Sequence, residues 1–330
     1  MNIKKVGLTA LAGSLVATSA YAGALTLSGG AKLSYTQKEG TIAATDTASR
    51  FAMDQEITAS GSGELDNGFT ISVTHGLMGM SGSSVGSDTS TLTLDMGDMG
   101  KLMYNDTDGH YGLAGLEDFM PMAYEQANDG LGTTGTIAAM AKMASGQGFG
   151  YSTSVAGASI SIGVSDGLGA STNRSDGGQD TTVAGTNSSS SVSVSFDPMD
   201  GLTVKAGAGT EGQADGKELD HTTMGFTYAY GPATIGYQIN DEDDSAAAGT
   251  DYETEIYGIS FMVNDNLSIS YGEHNTDKAN NAVDQEAESL QASYSMGGMT
   301  INLKDSEMSG VNNVEANSHE TTEVLITFAF

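Results

Sequence analysis

Residues 323 to 330 read Glu323-Val324-Leu325-Ile326-Thr327-Phe328-Ala329-Phe330. Successive side chains of a strand point to opposite faces, so Val324, Ile326, Phe328 and Phe330 share one face and Glu323, Leu325, Thr327 and Ala329 the other. The same period of two recurs upstream in Leu25/Leu27/Ala31/Leu33/Tyr35, Phe69/Ile71/Val73, Leu92/Leu94/Met96, Ile160/Ile162/Val164 and Val192/Val194/Phe196. It continues in Met224/Phe226/Tyr228/Tyr230, Ile235/Tyr237/Ile239, Tyr257/Ile259/Phe261/Val263, Leu267/Ile269/Tyr271, Leu290/Ala292/Tyr294/Met296 and Met299/Ile301/Leu303. A period of two predicts strands, not helices.

The connections alternate as well. Short turns fall at 66–68, 97–100, 156–157, 198–201, 231–232, 264–266 and 297–298, where Gly, Asn, Asp and Pro supply hairpin geometry. Between them lie longer polar segments near 38–48, 79–89, 106–147, 167–188, 211–220, 241–250, 275–285 and 308–318. Seven turns and eight loops join sixteen strands, with every second connection on the same side. The face opposite the apolar one is Ser, Thr, Gly, Gln, Asn, Lys or Glu, as in Ser268/Ser270 and Gln291/Ser293/Ser295. A packed sandwich core does not tolerate that many polar groups. The apolar face therefore meets lipid and the polar face water. The predicted fold is all-β: a transmembrane antiparallel β-barrel of sixteen strands with short periplasmic turns and long external loops.

The front end has its own signature. Lys4 and Lys5 precede an apolar run from Val6 to Val16 and the small-residue stretch Ala17 to Ala22. This predicts a secretory signal peptide over residues 1–22, read by the Sec pathway and cleaved before Gly23, with the barrel over 23–330. Without Lys4 and Lys5 the mature chain has 10 Lys and Arg against 42 Asp and Glu, a net charge of 10 − 42 = −32. That excludes nucleic acid, whose phosphates need clustered bases. There is no Cys, so no disulfide framework, and no later apolar run long enough for a membrane-spanning helix.

Three pieces carry a family resemblance: Gly23-Ala-Leu-Thr-Leu-Ser-Gly-Gly-Ala-Lys-Leu-Ser-Tyr35, Leu92-Thr-Leu-Asp-Met-Gly-Asp-Met-Gly-Lys-Leu102, and the terminal Phe330. In this order and spacing they resemble the trimeric, sixteen-stranded general porins of Gram-negative bacteria. The resemblance implies an outer-membrane homotrimer in contact with lipid and lipopolysaccharide, a third external loop folded into the lumen, and a C-terminal aromatic signal, Phe328 and Phe330, for the barrel assembly machinery. It implies a passive diffusion channel for small hydrophilic solutes and ions. The alternative is a structural or adhesive outer-membrane barrel without a channel.

Residues 106–147 have no strand pattern, and a loop this long is usually functional or disordered. Its apolar run around Phe119, Met120, Pro121, Met122 and Tyr124 predicts that it packs against something. By the resemblance it is the constriction loop, with Glu117, Asp118, Glu125 and Asp129 as its acidic side. Strand phase points Lys32, Arg50, Lys101 and Lys205 inward as the basic wall. The acidic excess predicts cation preference, since charges in a pore set ion selectivity.

No enzyme motif survives its context. Gly82-Ser83-Ser84-Val85-Gly86 fits a nucleophile elbow but lacks the following helix. Gly207-Ala-Gly209-Thr-Glu-Gly212 has no βαβ unit around it and reads as a strand end. Asp241-Glu242-Asp243-Asp244 lacks the glycine of a calcium loop and reads as a solvated loop tip. The five His are scattered, so no metal site, cofactor or catalytic residue is predicted.

Overall fold

The computed structural model describes residues 25–41, 49–79, 85–105, 111–129, 131, 148–165, 188–212, 218–244 and 251–330. The segment read as a signal peptide lies outside them. The strands are β1 (Thr26–Gly40), β2 (Arg50–Glu64), β3 (Thr70–Gly79), β4 (Val85–Asp95), β5 (Lys101–Asn105), β6 (Gly148–Val155), β7 (Ala158–Ser165) and β8 (Ser189–Met199). They continue with β9 (Leu202–Gly212), β10 (Glu218–Tyr230), β11 (Ala233–Asp244), β12 (Tyr252–Asn264), β13 (Leu267–Lys278), β14 (Gln285–Met296), β15 (Met299–Ser309) and β16 (Ser318–Ala329). Each pairs antiparallel with its chain neighbours, and β1 pairs with β16, closing the barrel with Tyr35 opposite Val324 and Ala31 opposite Phe328. Closure removes both sheet edges, so no strand leaves its N–H and C=O groups unpaired in hydrocarbon.

All seven tight turns stand at one end. At one of them Gly201 has φ +78°, and a Cβ there would lie 2.4 Å from the Ala229 carbonyl oxygen, so only glycine fits. The strands outrun their apolar stretches at the other end. β11 continues through Asp244 and β13 through Lys278, so the acidic run 241–244 is strand and not the expected loop tip. Polar side chains do not break a ladder whose outer reach stands in water, and hydropathy shows only the lipid-facing part.

The outward face carries an apolar band between two levels of aromatic rings. Near the loop end Tyr35 meets Phe51 (5.0 Å between centroids), Tyr104 meets Phe149 (5.1 Å) and Tyr237 meets Tyr257 (5.1 Å). Phe196, Tyr228, Phe261, Tyr294 and Phe328 stand near the turn end. Such girdles mark the two membrane interfaces. Immediately beyond the upper one the hydroxyl of Tyr237 donates to Glu255 (2.7 Å) and that of Tyr271 to Glu273 (2.7 Å), where the outward face turns acidic.

Candidate functional site

Inward positions on β6 to β13 are repeatedly glycine or serine, which leaves room along the inner wall. Residues 111–129, within the connection between β5 and β6, occupy it. The Gly112 N–H donates to Ser161 Oγ on β7 (2.9 Å), the Leu113 N–H donates to Ser191 Oγ on β8 (3.0 Å), and Ser193 Oγ donates to the Gly112 carbonyl (2.7 Å). Residues Gly112–Leu116 form a 3-10 turn there, with Leu113 and Leu116 buried together. Phe119 and Met120 then pack on Ile256 of β12. Glycines make this seat possible: a Cβ on Gly150 would lie 2.0 Å from the Tyr111 ring, and one on Gly236 2.6 Å from Pro121 Cδ.

The loop tip is clamped on β13 to β16. The Ala123 N–H donates to Ser270 Oγ (2.8 Å), and Gln291 Oε1 accepts from the N–H groups of Tyr124 (3.0 Å) and Glu125 (3.1 Å). The Gln291 amide returns a bond to the Glu125 carbonyl (2.7 Å), and the Tyr124 hydroxyl donates to Glu323 Oε1 (2.9 Å). Lys304 Nζ on β15 reaches Glu125 Oε2 (3.2 Å) and the carbonyls of Gln126 (3.1 Å) and Asp129 (2.6 Å). Leu131 ends the described stretch in an apolar cluster with Ala287, Met308 and Val311. Burial pushes the Asp129 carboxyl up from its ordinary range, against the pull of Lys304, and burial beside Glu125 and Glu323 raises the Tyr124 phenol.

The sequence-predicted residues divide accordingly. Asp118 is exposed on the loop and Glu117 half-buried beside it, while Glu125 pairs with Lys304 and an Asp129 carboxylate oxygen accepts from the Gln126 N–H (3.0 Å). Lys32 and Arg50 lie on the inner face of β1 and β2, which the described loop leaves uncovered. Lys101 pairs with Asp95 (3.0 Å) at the turn end. Lys205 is half-buried, its ammonium 4.3 Å from the Phe119 ring centroid, so it supports the loop from beneath. Phe330 exposes its ring outward and exchanges backbone hydrogen bonds with Gly29 (2.8 and 2.9 Å), extending the closing seam.

Sequence reasoning missed Gln291, Lys304 and Glu323 as site residues. Lys38, within a segment expected to be loop, stands on the inner face of β1, because the strand runs further than its apolar pattern. The phase of Lys304, one residue after Leu303, already placed it inward, but nothing in strand alternation shows which inward residues a loop will reach. Gly207 to Gly212 is the end of β9, as expected, and Ser84 lies outside the described residues. Among the described residues no group of three or more His, Cys, Asp or Glu could hold a metal ion.

Below the loop, toward the turn end, lies an open cavity of about 730 Å³ lined by the loop's Gly112, Gly115 and Leu116 and by serines of β6 to β8. A closed barrel with a hydroxyl-lined interior narrowed by an infolded loop is the geometry of a pore. No curated protein matches the chain. Among solved structures, an anion-selective porin from Comamonas acidovorans superposes with a TM-score of 0.68 at 14% identity, over 93% of this chain and 99% of that one. A variant of the Rh. blastica porin gives 0.63 at 15% identity over 93% and 100%, and a further porin structure 0.65 at 16% over the same shares. The profile of the Gram-negative porins matches residues 7–322, nearly the whole of a chain whose barrel, girdles and lumenal loop have the form of a pore, and the protein therefore belongs to that family, as an outer-membrane porin channel.

Proposed function

We propose that the channel passes small hydrophilic solutes and ions down their gradients, that the loop over residues 106–147 sets its size limit, and that it prefers cations. The loop's course through the lumen carries this reading. The inner wall supports the sign: Lys32, Lys38, Arg50, Lys101, Lys205, Lys278 and Lys304 stand against Asp54, Glu56, Glu64, Asp95, Asp197, Glu211, Glu242, Asp244 and Glu323, before the four loop acids are added. Charge in a low-dielectric wall acts over longer range than in open water. Purified protein in a planar bilayer should give single-channel steps, and a KCl gradient a reversal potential of cationic sign. Absence of steps would return the chain to the structural-barrel reading, and an anionic sign would overturn the preference.

The outer face supports a homotrimer with a defined contact side. From β10 through β16 to β1 the loop-end half is a belt of outward carboxylates: Glu218, Asp220, Asp241, Asp243, Glu253, Glu255, Glu273, Asp277, Glu286, Glu288, Asp305, Glu307, Glu320 and, opposite it on β1, Glu39. Outward positions on β2 to β9 whose side chains are described carry none, and Gly29, Ala31, Ala59, Gly61 and Gly63 keep β1 and β2 thin. Small residues permit close approach of a second barrel. Lipid and lipopolysaccharide then face the acidic sector.

Export and assembly complete the reading: the signal peptide is removed before Gly23, and the exposed aromatics Phe328 and Phe330 serve as the signal for the barrel assembly machinery. Deleting Phe330 should leave unassembled or degraded chain at native expression level. Undiminished insertion would remove that role.

A further inference from the structure

The loop's fastenings differ in kind. Gln291 holds three main-chain groups of Tyr124 and Glu125 with neutral hydrogen bonds. Ser270 holds a fourth. Lys304, on the neighbouring strand, meets the same stretch with an ammonium whose side chain is 1% exposed. An ammonium has three N–H donors, and here all three have acceptors within 3.2 Å: one carboxylate oxygen and two carbonyls. The main-chain carbonyls need only a donor. What Lys304 adds beyond a donor is charge, placed behind the part of the loop that carries Glu125 and Asp129.

Burying that charge is costly unless it is paired. Its pairing changes what an ion in the lumen meets. Glu125 and Asp129 contribute −2 between them; with Lys304 the group sums to −2 + 1 = −1. Asp118 stands exposed on the same loop.

We propose that Lys304 is a specificity-determining residue of this pore: from behind the constriction loop it cancels one of the loop's carboxylate charges and so holds the cation preference below the level the acidic residues alone would impose. The inference rests on the channel reading and adds to it a residue that does not line the open passage. It separates two properties the loop combines, since Gln291 and Ser270 set position while Lys304 sets both position and charge.

The test compares four variants of the full-length protein in planar bilayers at 0.1 M KCl against a tenfold gradient. Lys304→Met should raise the cation-to-anion permeability ratio roughly two- to threefold, the order of effect of one unit charge near the ion path under partial screening. Lys304→Arg, which keeps the charge, should stay at the wild-type ratio. Gln291→Leu, which loosens the same stretch without changing charge, should alter conductance and current noise but leave the ratio in place. The double variant Lys304→Met with Glu125→Gln restores the wild-type charge sum and should restore the wild-type ratio, even if its conductance differs. A wild-type ratio in Lys304→Met, or an equal shift in Gln291→Leu, would overturn the proposal by making the lysine a fastening alone. Loss of all channel steps in the wild-type protein would instead strike the channel reading on which it stands.

Discussion

At the scale of single residues, the lumenal glycines are the least replaceable positions of the wall. Gly258 on β12 faces the loop where a Cβ would lie 2.9 Å from Pro121 Cδ and 3.2 Å from Met120 Cβ. Contacts that tight force a neighbour to move, and overpacking costs about 1–3 kcal/mol. The loop is the softer partner, because the strand is held by ladders on both sides. Gly258→Val should push the loop toward the pore axis and lower single-channel conductance, with Gly258→Ala intermediate. An unchanged conductance in the valine variant, with the barrel folded, would mean that the loop's seat adjusts without narrowing the passage.

At the scale of elements, the loop and the upper strands carry opposite kinds of charge arrangement. In the loop, Glu125 meets the buried Lys304 and Asp129 the Gln126 N–H, while Asp118 is exposed. Excising about residues 112–130 should raise conductance, while changing Glu117, Asp118, Glu125 and Asp129 together to their amides should move the reversal potential toward anions. That shift should shrink between 0.1 M and 1 M salt, as the Debye length falls from about 10 Å to about 3 Å. A reversal potential indistinguishable from wild type at 0.1 M would take these four residues out of the selectivity machinery. On the outer face, Glu273, Glu288, Glu307 and Glu320 stand directly opposite one another on four successive strands. Like charges so placed cost roughly 0.2–1 kcal/mol per pair. Glu307→Lys turns two repulsive pairs into attractive ones and should raise the unfolding temperature in detergent by a few degrees at low salt, less at high salt. If the midpoint stays put at low salt, the ladder is already neutralised by its surroundings.

At the scale of the whole molecule, the division of the outer face into an acidic and a carboxylate-free sector sets the expected assembly. Unheated protein should migrate as a trimer in detergent gels, and Ala59→Glu, which puts a charge on the bare sector, should release monomers that remain folded and heat-modifiable. Monomer from wild-type protein in mild detergent would count against the trimer. N-terminal sequencing of the same material should begin at Gly23. Much of this molecule was legible from residue order alone. Strand number, closure, turn positions and the face of each strand residue follow from a period of two, since that period is local and lipid on one side with water on the other enforces it at every strand. Strand ends were not legible where polar residues occupy both faces, as at Asp241 to Asp244 and at Lys38. The loop's seat was not legible either. Lys304 reaches the loop across 179 positions of sequence and Glu323 across 199. Alternation says that such residues point inward, but which of them meet depends on the barrel's closure and on where glycines leave space along the wall, and those are set only when all sixteen strands stand together.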